Sequence, residues 1–201
     1  MEYDPNVFTN LCVVAGYFKS NKSKDNCNFS SLYNNMFDPY RQEELRVLEF
    51  ESSNPTEHTV VGGSLQTWAT YLSKSEIIGL FDNSEVDVTV SNERIRTFVC
   101  KDFDETFAKE EFQEAFDVIV DSTDHSFDEK IDFFQRCVNH HLVPQGFFFI
   151  EGLREEDGEQ ISRQISDWKS RYPNCEFFYE VVHNPMNRTD HPLIIIQKMS
   201  M

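Results

Sequence analysis

The alternation of apolar and polar positions changes period repeatedly along the chain. Apolar runs of strand length stand at LRVLEF (45–50), SEIIGLF (75–81), RIRTFVC (94–100), FDVIVD (116–121), GFFFIE (146–151), EFFYEVV (176–182) and LIIIQK (193–198). Between several of them the apolar residues recur at helical spacing, in SLQTWATYLS (64–73), DETFAKEEFQEAF (104–116), SFDEKIDFFQRCVNHHL (126–142) and GEQISRQISDWKSRY (158–172). A parallel strand connection needs a crossover of about a dozen residues, so this order predicts an α/β protein with a mostly parallel seven-stranded sheet covered on both faces. The last two runs are joined by HNPMNRTDHP (183–192), which carries no helical pattern and predicts an antiparallel pair at one sheet edge.

The N-terminal region reads differently. LCVVAGYF (11–18) forms a short apolar element, and KSNKSKDNCNFSS (19–31) has loop composition, polar and without periodicity. The expected organisation is an extension or lid over residues 1–30, able to serve as a dimer contact, followed by one domain over 31–201. Trp68 and Trp168 fall on apolar helix faces and are expected in the core.

Charge narrows the partners. Lys and Arg total 18 against 35 Asp and Glu, a formal charge of -17, so the general field repels nucleic acid and anionic lipid. Five cysteines, odd in number and without a CxxC pair, fit reduced thiols in a cytoplasmic setting better than a disulfide framework or a zinc site. The apolar stretch at 11–18 is too short to span a bilayer and has no basic segment before it.

In an open parallel sheet, ligands gather beyond the carboxyl ends of the strands. Acids stand at four such ends: Glu49 to Glu51, Phe81 to Asn83, Asp121 to His125, and Glu151. If the fourth and fifth strands are neighbours, Asp121, Asp124, His125 and Glu151 lie on tips about 5 Å apart, within reach of a shared cation or substrate hydroxyl. A histidine there can take a proton from a hydroxyl near neutral pH. The alternative is that Asp121 and Asp124 cap a helix beginning near Ser126, with His125 in a solvated turn. Gly62 and Gly63 precede a helix starting near Ser64, where free backbone N–H groups can hold an anion or a ligand carboxylate.

The blocks LRVLEF, SNPTEHTVVGGSLQTWATYLSKSEIIGL, ERIRTFV, FDVIVDSTDHSF and LVPQGFFFIEGL, preceded by YNNMFDPYR, resemble in order and interval the macrocin-type and rhamnosyl-type sugar O-methyltransferases over roughly residues 30–155. The resemblance implies a Rossmann-like class I methyltransferase fold with an antiparallel last strand, S-adenosylmethionine and Mg2+ as cofactors, and a sugar or glycan acceptor. It implies cofactor contacts at Glu49, Glu51, Ser52, Gly62, Gly63, Ser64, Phe81, Asp82 and Asp102. His125 stands at the place of the family's base, with Asp124 beside it, and Asp121 and Glu151 remain as carboxylates for magnesium.

The departures are specific. The family's Leu-Glu-Ile-Gly reads Leu48, Glu49, Phe50, Glu51, so a carboxylate replaces the glycine that gives the cofactor room. The ribose aspartate at the end of the second strand is met by Phe81 or, with a one-residue shift, by Asp82. The metal aspartate has become Ser122, and Glu-Asp after the fifth strand reads Glu151, Gly152. Three functions follow from these residues: a sugar O-methyltransferase, a glycosyltransferase using a sugar nucleotide in the altered pocket, and a binding module without chemistry.

Overall fold

The computed structural model describes residues 4, 6–54, 56–82, 90, 92–154 and 157–200; Asn83 and the first three residues lie outside the described residues. Seven strands form one sheet: β1 (Arg46–Glu51), β2 (Glu76–Phe81), β3 (Ile95–Val99), β4 (Phe116–Ser122), β5 (Leu142–Ile150), β6 (Cys175–Asn184) and β7 (Thr189–Lys198). Their order is β3-β2-β1-β4-β5-β7-β6. The pairs β3/β2, β2/β1, β1/β4 and β4/β5 are parallel, and β7 runs antiparallel to both β5 and β6. The winding reverses between β1 and β4, the crevice where ligands collect in such sheets.

Among the described residues, six α-helices cover the sheet: α1 (Asn10–Tyr17), α2 (Phe29–Phe37) and α3 (Gly63–Tyr71) on one face, α4 (Phe103–Phe107), α5 (Phe127–His140) and α6 (Gly158–Arg171) on the other. Strand alternation divides the core accordingly. Val47, Val118, Val120 and Phe149 pack under α1–α3, and Leu48, Phe50, Ile119 and Phe148 under α4–α6. Trp68 and Trp168, both fully buried, fill one layer each; truncating either to alanine costs about 3–5 kcal/mol. α5 begins where its sequence dictates, because Ser126 and Glu129 form a reciprocal capping box and Phe127, Phe133, Phe134, Cys137 and Val138 present one apolar stripe.

Two expectations need correction. The segment 104–116 is not one helix: it breaks into the five-residue α4 and a 3-10 turn at Glu110–Phe112. Phe107 and Phe112, five residues apart, do not share a helical face, and the break brings their rings to 5.4 Å. Residues 19–28 do run as an irregular loop, but a packed one, and 29–31 already belong to α2. Ser20, Lys22, Ser23, Asn28, Ser30 and Ser31 are all buried, and the 30/31 division falls inside α2. The segment closes onto α3 because Gly63 has no side chain: a Cβ there would stand 2.5 Å from the Phe18 carbonyl oxygen.

Candidate functional site

Residues at the carboxyl ends of the strands separate by face. Glu49 and Glu51 share a face with Val47, and Glu151 with Phe149, so all three point toward α1–α3. Into that cluster comes Lys22, 1% exposed, whose Nζ donates to Glu49 Oε1 at 2.6 Å, to Glu151 Oε2 at 3.2 Å and to Asn21 Oδ1 at 3.5 Å. The other carboxylate oxygens are also taken. Ser122 donates to Glu49 Oε1 at 2.7 Å, Ser64 to Glu49 Oε2 at 2.8 Å, and Tyr33 to Glu151 Oε1. Burial opposes the Lys22 charge, but Glu151 and Glu49 outweigh it and hold its ammonium well above the usual lysine range. Burial raises Glu151, as does Glu49, against the pull of Lys22 and Tyr33. Glu51 is pushed up to about 8 by burial and by Glu49, against Lys22 and the N–H groups of Gly62 and Ser64, so it is mostly protonated at neutral pH.

The glycine-led start of α3 does hold a carboxylate, and it belongs to the chain itself. Gly62, in the left-handed region at φ 78°, donates its N–H to Glu51 Oε2 at 3.1 Å. Gly62, Gly63, Ser64, Glu49 and Phe81 therefore line no described cavity. Phe81 is 2% exposed and lies in the core layer under α1–α3, which excludes it as a ribose contact.

Two cavities open at the strand tips. One of about 330 Å³, lined by Asn21, Glu51, Ser52, Asn54, Asp124 and His125 among others, reaches toward the Lys22 cluster, and a shallower one of about 710 Å³, lined by Phe50, Asp82, Asp102, Phe103, His125 and Arg136 among others, lies on the α4–α6 side. His125 borders both. Its Nε2 lies 3.0 Å from Asp82 Oδ2, and its ring stands edge-on to Phe50 at 5.2 Å. Burial would raise the Asp82 carboxyl, but hydrogen bonds from Ser53 and His125 outweigh it and hold it below the usual range. An ionised Asp82 accepts only, so the Nε2–H of His125 is the donor of this pair. Asp124 accepts from Ser52 Oγ and Asn54 Nδ2, each at 3.1 Å, and so ties the loop after β1 to the loop after β4. Asp102 caps α4 through the Glu105 N–H.

The pairing of Asp121 with Glu151 fails by one residue. Their strands are neighbours, with the Glu151 N–H on the Asp121 carbonyl at 2.9 Å, but Asp121 is in register with Ile150. An offset of one turns the side chain to the other face. Asp121 instead accepts from Lys130 Nζ at 3.1 Å and from Thr123 Oγ1 at 2.6 Å. Nor does Glu151 meet His125 in one cavity, since the first is 1% exposed beside Tyr33 and Lys22 while the second borders the two cavities. Among the described residues, no group of three His, Cys, Asp or Glu side chains converges as a metal site. These residues do not fit a shared magnesium ion. Ser126, not Asp121 or Asp124, caps α5.

The fold as a whole, a mostly parallel sheet in which β7 alone runs against the rest, superposes on solved methyltransferase structures. MycE methyltransferase from the mycinamycin biosynthetic pathway, in complex with Mg and SAH, superposes with a TM-score of 0.71 at 21% identity over 96% of this chain and 55% of that one. The fold is that of a class I methyltransferase. Fibrillarin, a pre-rRNA processing protein of Methanococcus jannaschii, gives 0.59 at 12% identity over 81% and 70% of the two chains. Precorrin-6y C5,15-methyltransferase from Geobacter metallireducens gives 0.52 at 10% identity over 85% and 89%. The chain thus spans about 55% of the length of the MycE protein. No protein-family model and no curated protein matches the sequence. Among the described residues no helix is long and apolar enough to cross a membrane.

Sequence reasoning missed Lys22, Tyr33 and Lys130. A signal for the first was present: Lys19, Lys22 and Lys24 cluster within six residues of a chain whose net charge is -17.

Proposed function

We propose that the chain is an S-adenosylmethionine-dependent methyltransferase acting on a hydroxyl, of a sugar or glycan, with His125 as base. The observation that carries this reading is the charge of the α4–α6 side. The larger cavity presents Asp82, Asp102, Asp128, Glu129 and Asp132 against Lys101 and Arg136. Such a lining favours a cationic sulfonium ligand and disfavours the diphosphate of a sugar nucleotide. Asp82 and Asp102 suit the hydroxyl and amine edges of a nucleoside beside the ring of Phe103, and a protonated Glu51 does not repel an amino-acid carboxylate in the smaller cavity.

When bound, the cofactor would supply an electrophilic methyl group. The chain's own contribution is positioning and proton transfer. Nδ1 of His125 accepts the hydroxyl proton while Asp82 orients the ring through Nε2, and Ser52, Asn54 and Asp124 offer hydrogen bonds to neighbouring hydroxyls. The likeness to methyltransferases solved with SAH supports the cofactor class.

A second reading, a binding module without chemistry, is favoured by Glu51 at the glycine position. Calorimetry separates them. The transferase reading expects saturable binding of S-adenosylmethionine and S-adenosylhomocysteine, no binding of uridine or guanosine diphosphate sugars, and unchanged cofactor affinity with lost turnover in His125→Ala. Absence of binding by both adenosyl compounds overturns it.

A further inference from the structure

We propose that the ammonium of Lys22 is the resident cation of the carboxylate cluster at the tips of β1 and β5, seated where a divalent ion would otherwise be needed, so that this end of the sheet is metal-independent until the lysine is withdrawn. Three oxygens from three segments, Asn21 Oδ1, Glu49 Oε1 and Glu151 Oε2, converge on Nζ at 3.5, 2.6 and 3.2 Å. Their outward partners are complete as well, with Ser64 and Ser122 on Glu49 and Tyr33 on Glu151. That arrangement resembles an inner ligand shell oriented by hydroxyls, with a tethered monovalent charge at its centre.

The delivery of the charge is built into the backbone. The Lys22 N–H bonds Ser20 Oγ at 3.2 Å, the Lys22 carbonyl accepts from the Ser30 N–H at 2.9 Å, and Asn184 Nδ2 holds the Lys24 carbonyl at 2.8 Å. Residues 20–30 are thereby fixed between α2 and the β6/β7 hairpin. The other face repeats the device. Lys130, also 1% exposed, donates to Asp121 Oδ1 at 3.1 Å and to the Thr123 carbonyl at 2.7 Å. Both carboxylates left for a metal by the sequence, Asp121 and Glu151, are thus neutralised by separate buried lysines. The Lys22 seat adjoins the smaller cavity, because Asn21 and Glu51 line it.

The consequence is an exchange of one cation for another. Without the ammonium, two buried carboxylates and an amide oxygen face a space the size of a lysine tip, a donor set that suits a hard divalent cation. The test uses Mn2+ as probe, read by electron paramagnetic resonance, with Mg2+ and Ca2+ in thermal unfolding of the full chain. Wild type should hold Mn2+ only weakly, equally with Glu151→Gln, and show no shift in unfolding temperature at millimolar Mg2+ or Ca2+. Lys22→Ala and Lys22→Met should acquire one Mn2+ site at least about tenfold tighter and unfold at a higher temperature with the metal than without. A wild-type Mn2+ site lost in Glu151→Gln overturns the proposal, as do folded Lys22 variants that bind no more Mn2+ than wild type. If neither variant folds, refolding in Ca2+ or Mn2+ decides: recovery supports the exchange, and failure of both variants to recover overturns it.

Discussion

The two faces of the sheet end differently at their carboxyl edge. Toward α1–α3, Lys22, Glu49, Tyr33, Ser64 and Glu151 are all 1% exposed or less, and every charged or hydroxyl tip has a partner within the cluster. On the side of α4–α6, the His125 and Asp82 side chains are 23% and 36% exposed and border cavities. Both sites are built from acids and a base at strand tips. What separates them is water. A sealed network derives its strength from low dielectric and is shielded from bulk water, whereas an open pair is weakly held and accessible. Sealed ion pairs stand on both faces, Lys22 with Glu49 and Glu151 on one and Lys130 with Asp121 on the other, whereas the exposed His125–Asp82 pair lies on the α4–α6 side alone.

The sharpest break of that comparison is Lys22→Ala. Removing one partner of a buried ion pair leaves uncompensated charge, so unfolding in urea should show a loss of about 3–5 kcal/mol without added metal. Lys22→Met combined with Glu49→Gln and Glu151→Gln, which removes the lysine and both carboxylates paired with it and keeps most of the volume, should recover more than half of that loss. A single variant as stable as wild type would mean that the cluster is wet.

The next effect is a pH profile. Glu51 holds its proton up to about pH 8 when folded, against an ordinary carboxylate value of 4.5 when unfolded. Between those values the folded state binds the extra proton, so raising pH favours unfolding. The contribution is fully present below about 4.5 and is lost as pH rises through about 8. Glu151, also raised, acts with the same sign. The unfolding temperature of wild type should therefore decline across this window, and Glu51→Gln should decline less and exceed wild type at pH 8. Asp82 acts in the opposite sense, its lowered carboxyl giving stability lost only as pH falls into the acid range. Coincident profiles for wild type and Glu51→Gln would show that Glu51 titrates as a solvated acid.

The sheet was legible because periods of two and 3.6 survive in the strands and in α3, α5 and α6, and because 183–192 carries no crossover. The adjacency of β4 and β5, a condition in the sequence reading, is met in the structure. The facing of Asp121 and Glu151 was not legible, since a register of Asp121 with Ile150 is set by the irregularity between Phe116 and Val118, which no hydropathy pattern records. Lys22 was hidden for a related reason. Polar residues buried in pairs look like loop residues until their partners, here 27 and 129 positions away, are known. The start of α3 was read as a carboxylate holder, and the carboxylate proved to be Glu51.

The smallest effect tests the open pair. Because Asp82 is more than a third exposed, its bond to His125 is screened, and a double-mutant cycle with Asp82→Asn and His125→Ala should give a coupling of about 0.2–1 kcal/mol. That coupling should shrink from low to high salt, since at 0.15 M the screening length is about 8 Å. His125→Ala alone should change stability by no more than about 1 kcal/mol, as it removes one edge contact with Phe50 and fills no core position. The contrast with Lys22 is then several-fold in energy for pairs of similar length, 3.0 Å against 2.6 Å. A salt-insensitive coupling as large as that of the sealed cluster would place His125 and Asp82 in the same class, a fixed strut with no freedom to take a proton from a ligand.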